Sequence, residues 1–354
     1  MQIVPDWAPN IHPMIVHFPI VLLTFAVIFD FLFLFLKKFG WLEKSALSLY
    51  VVGTLAIIVT FFTGRFAADG LDIPAKVIPA VTDHADWAEI TLWFFIIFSA
   101  VRLTIGLWKK QVHRAILFII TIISLTGIYS LYQTADHGAK LVFGYGLGTG
   151  NILEKVEQME KETKSDESIF DSTLKLDTNG SWKLIATTQT ITILKEKFKW
   201  IESSIEDVSP MFDEENSAMM FHPQKEATFI YNDKIKSVQI TAKINVDEFD
   251  GELEFIHHFN DNNNYDFLRI RNGEISLARK SHGQTKIFEK DKFADKGFIE
   301  IKVIGDGTHF RGYVNNKMIV HGHGSEPKPG SVGIRINGQG SFYLNSIDVI
   351  SLRQ

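Results

Sequence analysis

The hydrophobic pattern of the chain changes near residue 150. Before that point, long apolar runs are separated by short polar or basic breaks. After it, short runs alternate apolar and polar positions between turn residues. Four early runs, about Met14–Leu36, Ala46–Gly64, Ala88–Trp108 and Ala115–Tyr132, each have roughly the 20 residues needed to cross a hydrocarbon core at 1.5 Å rise per residue. Four in succession, flanked by charge or aromatic residues, predict a four-helix transmembrane domain over 1–150. In the stretch 151–168, Ile152, Leu153, Val156 and Met159 share a stripe, which predicts a short amphipathic linker helix. From Ile169 the period is two. SVQITAKINV, ELEFIHHF, YDFLRIR, FIEIKVIG, FRGYV, KMIVHG, SVGIRI and SFYLNSIDVISL read as strands, separated by NDNNN, RNG, GDG, NN and PKPG. The spacing predicts an all-β antiparallel sandwich over 169–354.

Composition sharpens this two-part reading. A mean hydropathy of +0.07 averages an apolar half and a polar half of the 354 residues. A net charge of −5 gives no electrostatic footprint for nucleic acid. With no cysteine, disulfides, zinc–thiolate sites, iron–sulfur clusters and covalently attached haem c are excluded. The start, MQIVPDWAPN, lacks the basic n-region of a cleavable signal peptide. Lys37, Lys38 and Lys44 follow the first run, and Lys109, Lys110 and Arg114 follow the third. On the other side Arg65, Lys76 and Lys140 are diluted by Asp69, Asp72, Asp83 and Asp86. By the positive-inside rule the basic loops are cytoplasmic. A multi-pass protein of the inner membrane is expected, with both termini and the β domain in the periplasm.

Four histidines then gather at the outer face: His12 and His17 where the first run enters, His84 at the mouth of the third, and His137 where the fourth leaves. Imidazole in a membrane is costly unless ligated, paired or wetted, so haem ligation, another metal and a proton-linked site are all open. His12 and His17 diverge by about 140° around a helix axis and cannot face one partner. His17, His84 and His137 are the stronger ligand candidates, with His12 as a cap or second site. Pro13 suits a first helical position, and Pro19 kinks the first turns. Asp30 and Arg102 fall toward the cytoplasmic side, where mutual pairing is expected and a quinone or proton site is the alternative.

HPMIVHFPIVLL in the first run, TGRFAADG at the end of the second, and HGAKLVFGYGLG after the fourth resemble a bacterial four-helix membrane domain of unassigned function, often joined to planctomycete-type c-type cytochrome modules. The resemblance implies a membrane redox role, with the motif histidines as ligands of haem b. Related sequences carry His-Gly-Gly where this chain has His137-Gly138-Ala139. GFIEIKVIGDGTHFRGYVNNKMIVHG and GSVGIRINGQGSFYLNSIDVI resemble concanavalin-like jelly rolls, including domains related to 3-keto-disaccharide hydrolases and laminin G-type modules. That likeness implies a carbohydrate or partner surface.

Within the β part, His257 and His258 are adjacent on a strand and are expected on opposite faces. His321 and His323 share a face and read as a solvated hairpin; NDNNNYD reads as a polar turn rather than a calcium loop. No nucleotide, flavin or phosphate motif is present, so a non-catalytic subunit is expected. The expected function is a b-type cytochrome-like membrane subunit. It passes electrons between the quinone pool and a periplasmic partner, a c-type cytochrome or a sugar dehydrogenase. The rivals are a haem-free anchor presenting a glycan- or protein-binding jelly roll, and a mononuclear copper or zinc site on the same histidines.

Overall fold

The computed structural model describes residues 10–71, 73–108, 113–148 and 173–353. The expected linker helix, Asp72, Lys109 and Lys110 lie outside the described residues. Two compact units divide the chain, Met1–Ile73 with Ala80–Asp166, and Pro74–Pro79 with Glu167–Gln354.

The first unit is helical: α1 (His12–Ile15), α2 (His17–Phe35), α3 (Trp41–Asp69), α4 (Ile78–Trp108) and α5 (Arg114–Ala139), which continues as a π-helical turn, Lys140–Gly144. Among the described residues, four helical segments are long and apolar enough to cross a membrane. Pro13 occupies the first turn of α1 as expected. The hydrogen-bond ladder is interrupted at Val16, which keeps helical dihedrals, because Pro19 has no N–H for the Ile15 carbonyl. His12 is the first residue of α1 rather than its cap; Ile11 caps, and the Asn10 side chain accepts from the His12 N–H. The helices outrun the apolar runs: α3 starts at Trp41 and α4 at Ile78, so His84 lies inside α4 rather than at its mouth.

Leu23, Ala26, Tyr50, Ile57, Phe95, Phe98 and Leu131 form the bundle core. Phe18, Phe62, Trp93 and Phe118 point outward, which suits a surface bathed in lipid tails. Glycines set the helix approaches: Leu23 sits on Gly53, Leu47 on Gly106 and Phe94 on Gly127, the small-residue packing that membrane helices use. At the end opposite the histidines, Arg102 grips Asp30 through Nε and Nη2 at 2.9 and 2.7 Å. Glu43 stands 3.5 Å from the same guanidinium. The expected pairing is present.

The second unit is a jelly-roll-like sandwich of two antiparallel sheets. One has nine strands, β1 (Leu174–Leu176), β2 (Trp182–Ile185), β16 (Phe342–Ser351), β7 (Val238–Asn245), β12 (Ile299–Asp306), β13 (His309–Val314) and β14 (Lys317–His323) in order; β5 (Ala218–Phe221) also pairs with β16, and β4 (Met211–Asp213) with β5. The other runs β11 (Gln284–Lys292), β10 (Glu274–Ser281), β9 (Asn264–Arg271), β8 (Phe249–Asp261), β15 (Gly330–Gly340), β6 (Ala227–Ile235) and β3 (Lys199–Trp200). The inward residues of both sheets make one core, in which Phe221 and Phe342 stack at 5.0 Å.

The eight strand-like runs fall on β7, β8, β9 and β12–β16. The pattern misses β1–β6, β10, β11 and the helix α6 (Thr190–Lys197). β11 is exposed along almost its whole length, so it lacks the alternation that announces a half-buried strand.

Candidate functional site

At the histidine end of the bundle, three rings share one arrangement. The Nδ1 atoms of His12, His84 and His137 lie 3.2, 3.0 and 2.8 Å from the carbonyl oxygens of Thr60, Thr134 and Gln133. A carbonyl only accepts, so each Nδ1 carries the proton and each Nε2 is left with its lone pair. His12 lies against Gly64 on α3, where a Cβ would come within 2.9 Å of its Cε1. His84 lies likewise against Gly138 on α5, at 3.0 Å. The ring of Trp87 is 6.3 Å from that of His137. Thr91, one helical turn below Trp87, bonds its hydroxyl to Thr134 at 2.8 Å and ties α4 to α5 beside these rings.

His17 is exposed on α2 and is not part of this set. His12 is half-buried and turned to α3, whereas His17 is exposed. Gly138 supplies the close approach and Ala139 is exposed, so alanine at the second position of the His-Gly-Gly pattern leaves that packing intact. Each of the three rings is thus held by a backbone carbonyl, and His12 and His84 also pack against a glycine of the neighbouring helix.

Among the described residues, two groups bring three ligand atoms within 4.8 Å of one another, and neither contains a membrane histidine. Among the described residues, no three ligand atoms of the bundle histidines lie within that distance of one another. Both groups belong to the β domain.

The first group is His257, His258 and Asp266. The expectation that the two histidines face opposite ways is wrong. His258 adopts a left-handed φ of 52° at a bulge in β8, and the extra residue turns its side chain beside that of His257. Their Nδ1 atoms lie 2.7 Å apart, one donating to the other, and His258 Nε2 is 3.0 Å from the Lys236 carbonyl. Arg279 grips Asp266 at 2.5 and 2.9 Å. Burial, then the charge of His258, pushes the His257 imidazole down to about 3. Burial raises the Asp266 carboxyl, but hydrogen bonds from His258 and Arg279 outweigh it and hold the group at about 2. All three side chains are buried and joined through His257 Nδ1, His258 and the Asp266 carboxylate, with His257 Nε2 left unpartnered, which makes this a structural knot.

The second group is His309, His321 and His323, on the hairpin β13–β14. His321 and His323 share a face as expected; His309 was not foreseen beside them. NDNNNYD is the polar turn expected, with Asp261 accepting from the Asn263 N–H and the Asn264 amide.

The seven-stranded sheet carries a cleft of about 140 Å³ lined by Glu252, Glu254, Tyr265, Arg269, Arg335 and Asn337, among others. Arg269 bonds Glu254 at 2.9 and 2.7 Å, and Arg335 donates to the Tyr265 hydroxyl at 2.6 Å. Burial, then the charge of Glu254, raises the Tyr265 phenol to about 12.

Residues 8–151 match a family model described as a predicted membrane protein, DUF2231. A comparison with curated proteins gives no match. Among solved structures, the chain is similar to the carbohydrate binding module CBM66 from Bacillus subtilis, at 11% identity over 43% of this chain and 95% of that one, with a TM-score of 0.36. It is similar to a protein of unknown function with a galectin-like fold, also from Bacillus subtilis, at 10% identity over 47% and 93%, TM-score 0.36. Sheep galectin-11, in complex with glycerol, aligns at 15% identity over 35% and 96%, TM-score 0.28. These are likenesses of fold, and no residue role is taken from them.

Proposed function

We propose that this membrane protein is a b-type cytochrome-like electron-transfer subunit, in which His84 together with His12 or His137 holds haem iron at the outer end of the bundle. One observation carries the reading: three imidazoles at the same end of the bundle, each with Nδ1 spent on a backbone carbonyl, which leaves Nε2 as the ligand atom. Ligating histidines have this second bond, which fixes tautomer and ring orientation. The absence of cysteine makes the haem non-covalent. When bound, haem supplies one-electron chemistry. The protein's own part is to aim the rings, pack two of them against Gly64 and Gly138, and keep the site within an apolar bundle.

The side of the membrane follows from charge. Lys37, Lys38, Lys44 and Arg114 favour a cytoplasmic place for the end opposite the histidines. The chain leaves α5 at the histidine end, so the β domain is read as periplasmic and the membrane as the inner one. Its electron partners are then the quinone pool and a periplasmic c-type cytochrome or sugar dehydrogenase. The test is an absorption spectrum of detergent-solubilised protein made with ample haem supply. A Soret band that is lost in His84→Ala is expected. A colourless protein, or a band unchanged when His12, His84 and His137 are all replaced by alanine, refutes the reading.

The charged cleft favours a second reading, a haem-free anchor that presents the β domain to a polar ligand such as a saccharide. A cleft lined by arginine and carboxylate groups, with Tyr265 and Asn337 among them, suits a hydroxyl-rich ligand. Glycan binding by the full chain that is lost in Tyr265→Ala, from a colourless protein, supports it; no glycan bound refutes it.

A further inference from the structure

We infer that His309, His321 and His323 form a binding site for one divalent cation of the zinc or copper class. The site is independent of the bundle histidines.

The hairpin geometry builds it. β13 and β14 are joined through Asn315 and Asn316, both in the left-handed region, the backbone of a tight two-residue turn. A register shift between Gly312 and Tyr313 then sets His309 directly across from His323, and Arg311 across from His321. Residues two apart on a strand, and residues directly opposed, point to the same side. Three imidazoles therefore stand together on one face, with ring centroids 4.6, 4.8 and 5.9 Å apart. One nitrogen of each lies within 4.8 Å of the others. Tetrahedral zinc at 2.0–2.1 Å from nitrogen needs separations of roughly 3.4 Å, which small side-chain rotations reach.

The surroundings favour a built site over a chance cluster. In VHGHG the glycine between the histidines faces the opposite side, where the Phe288 ring of β11 occupies the space; a Cβ on Gly322 would lie 2.5 Å from Phe288 Cβ. That packing anchors β14 under the two histidines. The His321 backbone N–H donates to the Glu289 carboxylate of β11, which pins the same strand from its free edge. Asp306 stands across the ladder from His309 and is held by Arg353 at 2.6 and 3.1 Å. His309 is buried and His323 exposed, so the site is closed behind and open in front.

The donor set decides the ion. Three imidazole nitrogens without a carboxylate among them suit zinc or copper, and are poor ligands for magnesium or calcium. Three protein ligands leave a fourth position for water or an exogenous anion, as in zinc sites with three histidines.

The experiment titrates the chelator-treated full chain with Zn²⁺, with Cu²⁺ and with Mg²⁺, following stoichiometry and affinity by calorimetry. One equivalent of Zn²⁺ or Cu²⁺ and none of Mg²⁺ is expected. The double variant His321→Ala/His323→Ala, both on an edge strand, should lose that equivalent with an unchanged circular dichroism spectrum. Each single variant should weaken it by more than the roughly 10–100-fold that loss of an outer-shell partner costs. His84→Ala should keep it, and the Soret band should persist in the double variant, so the result is separable from haem binding. Absence of Zn²⁺ and Cu²⁺ binding by the parent chain, or an equivalent retained in the double variant, overturns the assignment.

Discussion

Arg102 and Asp30 meet through two parallel hydrogen bonds of 2.9 and 2.7 Å, and both side chains are almost wholly buried inside the helical bundle. Breaking a buried pair leaves an uncompensated charge, at about 3–5 kcal/mol. Asp30→Asn or Arg102→Met alone should therefore lower stability by that order. The double variant Asp30→Leu/Arg102→Met should recover most of the loss, because an apolar pair of similar volume is neutral or better. Unfolding of the detergent-solubilised protein measures this; a double-variant loss equal to the sum of the two single losses would show that the pair is not coupled.

The buried histidine knot predicts acid sensitivity of the β domain. His257 titrates at its ordinary 6.5 when unfolded and near 3 when folded. The unfolded chain thus takes up the proton first. The stabilisation from keeping His257 neutral is complete above pH 6.5 and is lost as pH falls from there toward 3. Asp266 acts in the same direction lower down, from its ordinary 3.8 toward 2. Denaturant midpoints between about pH 7 and 4 should fall steadily in the parent chain, and more shallowly in His257→Gln. A parallel pH profile in the two proteins would exclude His257 as the titrating group.

Gly138 admits the His84 ring, with Cε1 at 3.0 Å from where a Cβ would stand. Gly138→Val should displace that ring and shift the Soret band of the haem-loaded protein. Ala139→Val, at an exposed neighbouring position, should leave the spectrum unchanged. Identical spectra for both variants would mean that His84 is not a ligand.

Phe342 is fully buried between the sheets and stacks on Phe221. Phe342→Ala should cost the β domain about 3–5 kcal/mol, read from its thermal or denaturant transition. A loss under about 1 kcal/mol would mean that the core collapses around the gap.

Much of the architecture is legible in the sequence because it depends on local periodicity. Apolar length marks the four helices, and alternation marks β7–β9 and β12–β16. Strands with no alternation, such as β11, are invisible to that criterion. The pairing of Asp30 with Arg102 is legible because two charges in an apolar bundle have few alternatives. The histidine clusters of the β domain are a different matter, since each depends on an irregularity. A regular two-residue turn at Asn315–Asn316 would place His309 opposite Gly322; the shift at Gly312 moves it to His323. A regular strand would separate His257 from His258; the bulge joins them. That His12 turns to α3 while His17 is exposed depends on which neighbour receives each ring.

The bulge at His258 also governs how β8 tolerates changes in length. Its backbone lies against Gly330, where a Cβ would come within 2.6 Å of the Phe259 nitrogen. Because side chains alternate between faces, removing one residue here would interchange the inward and outward sets over the remainder of the strand. Substitutions around this point trade side chains, whereas a single-codon deletion would turn the end of β8 inside out. Insertions and deletions near residue 258 should therefore be far rarer among functional variants than replacements, a signature that a library of one-residue deletions across β8 would reveal.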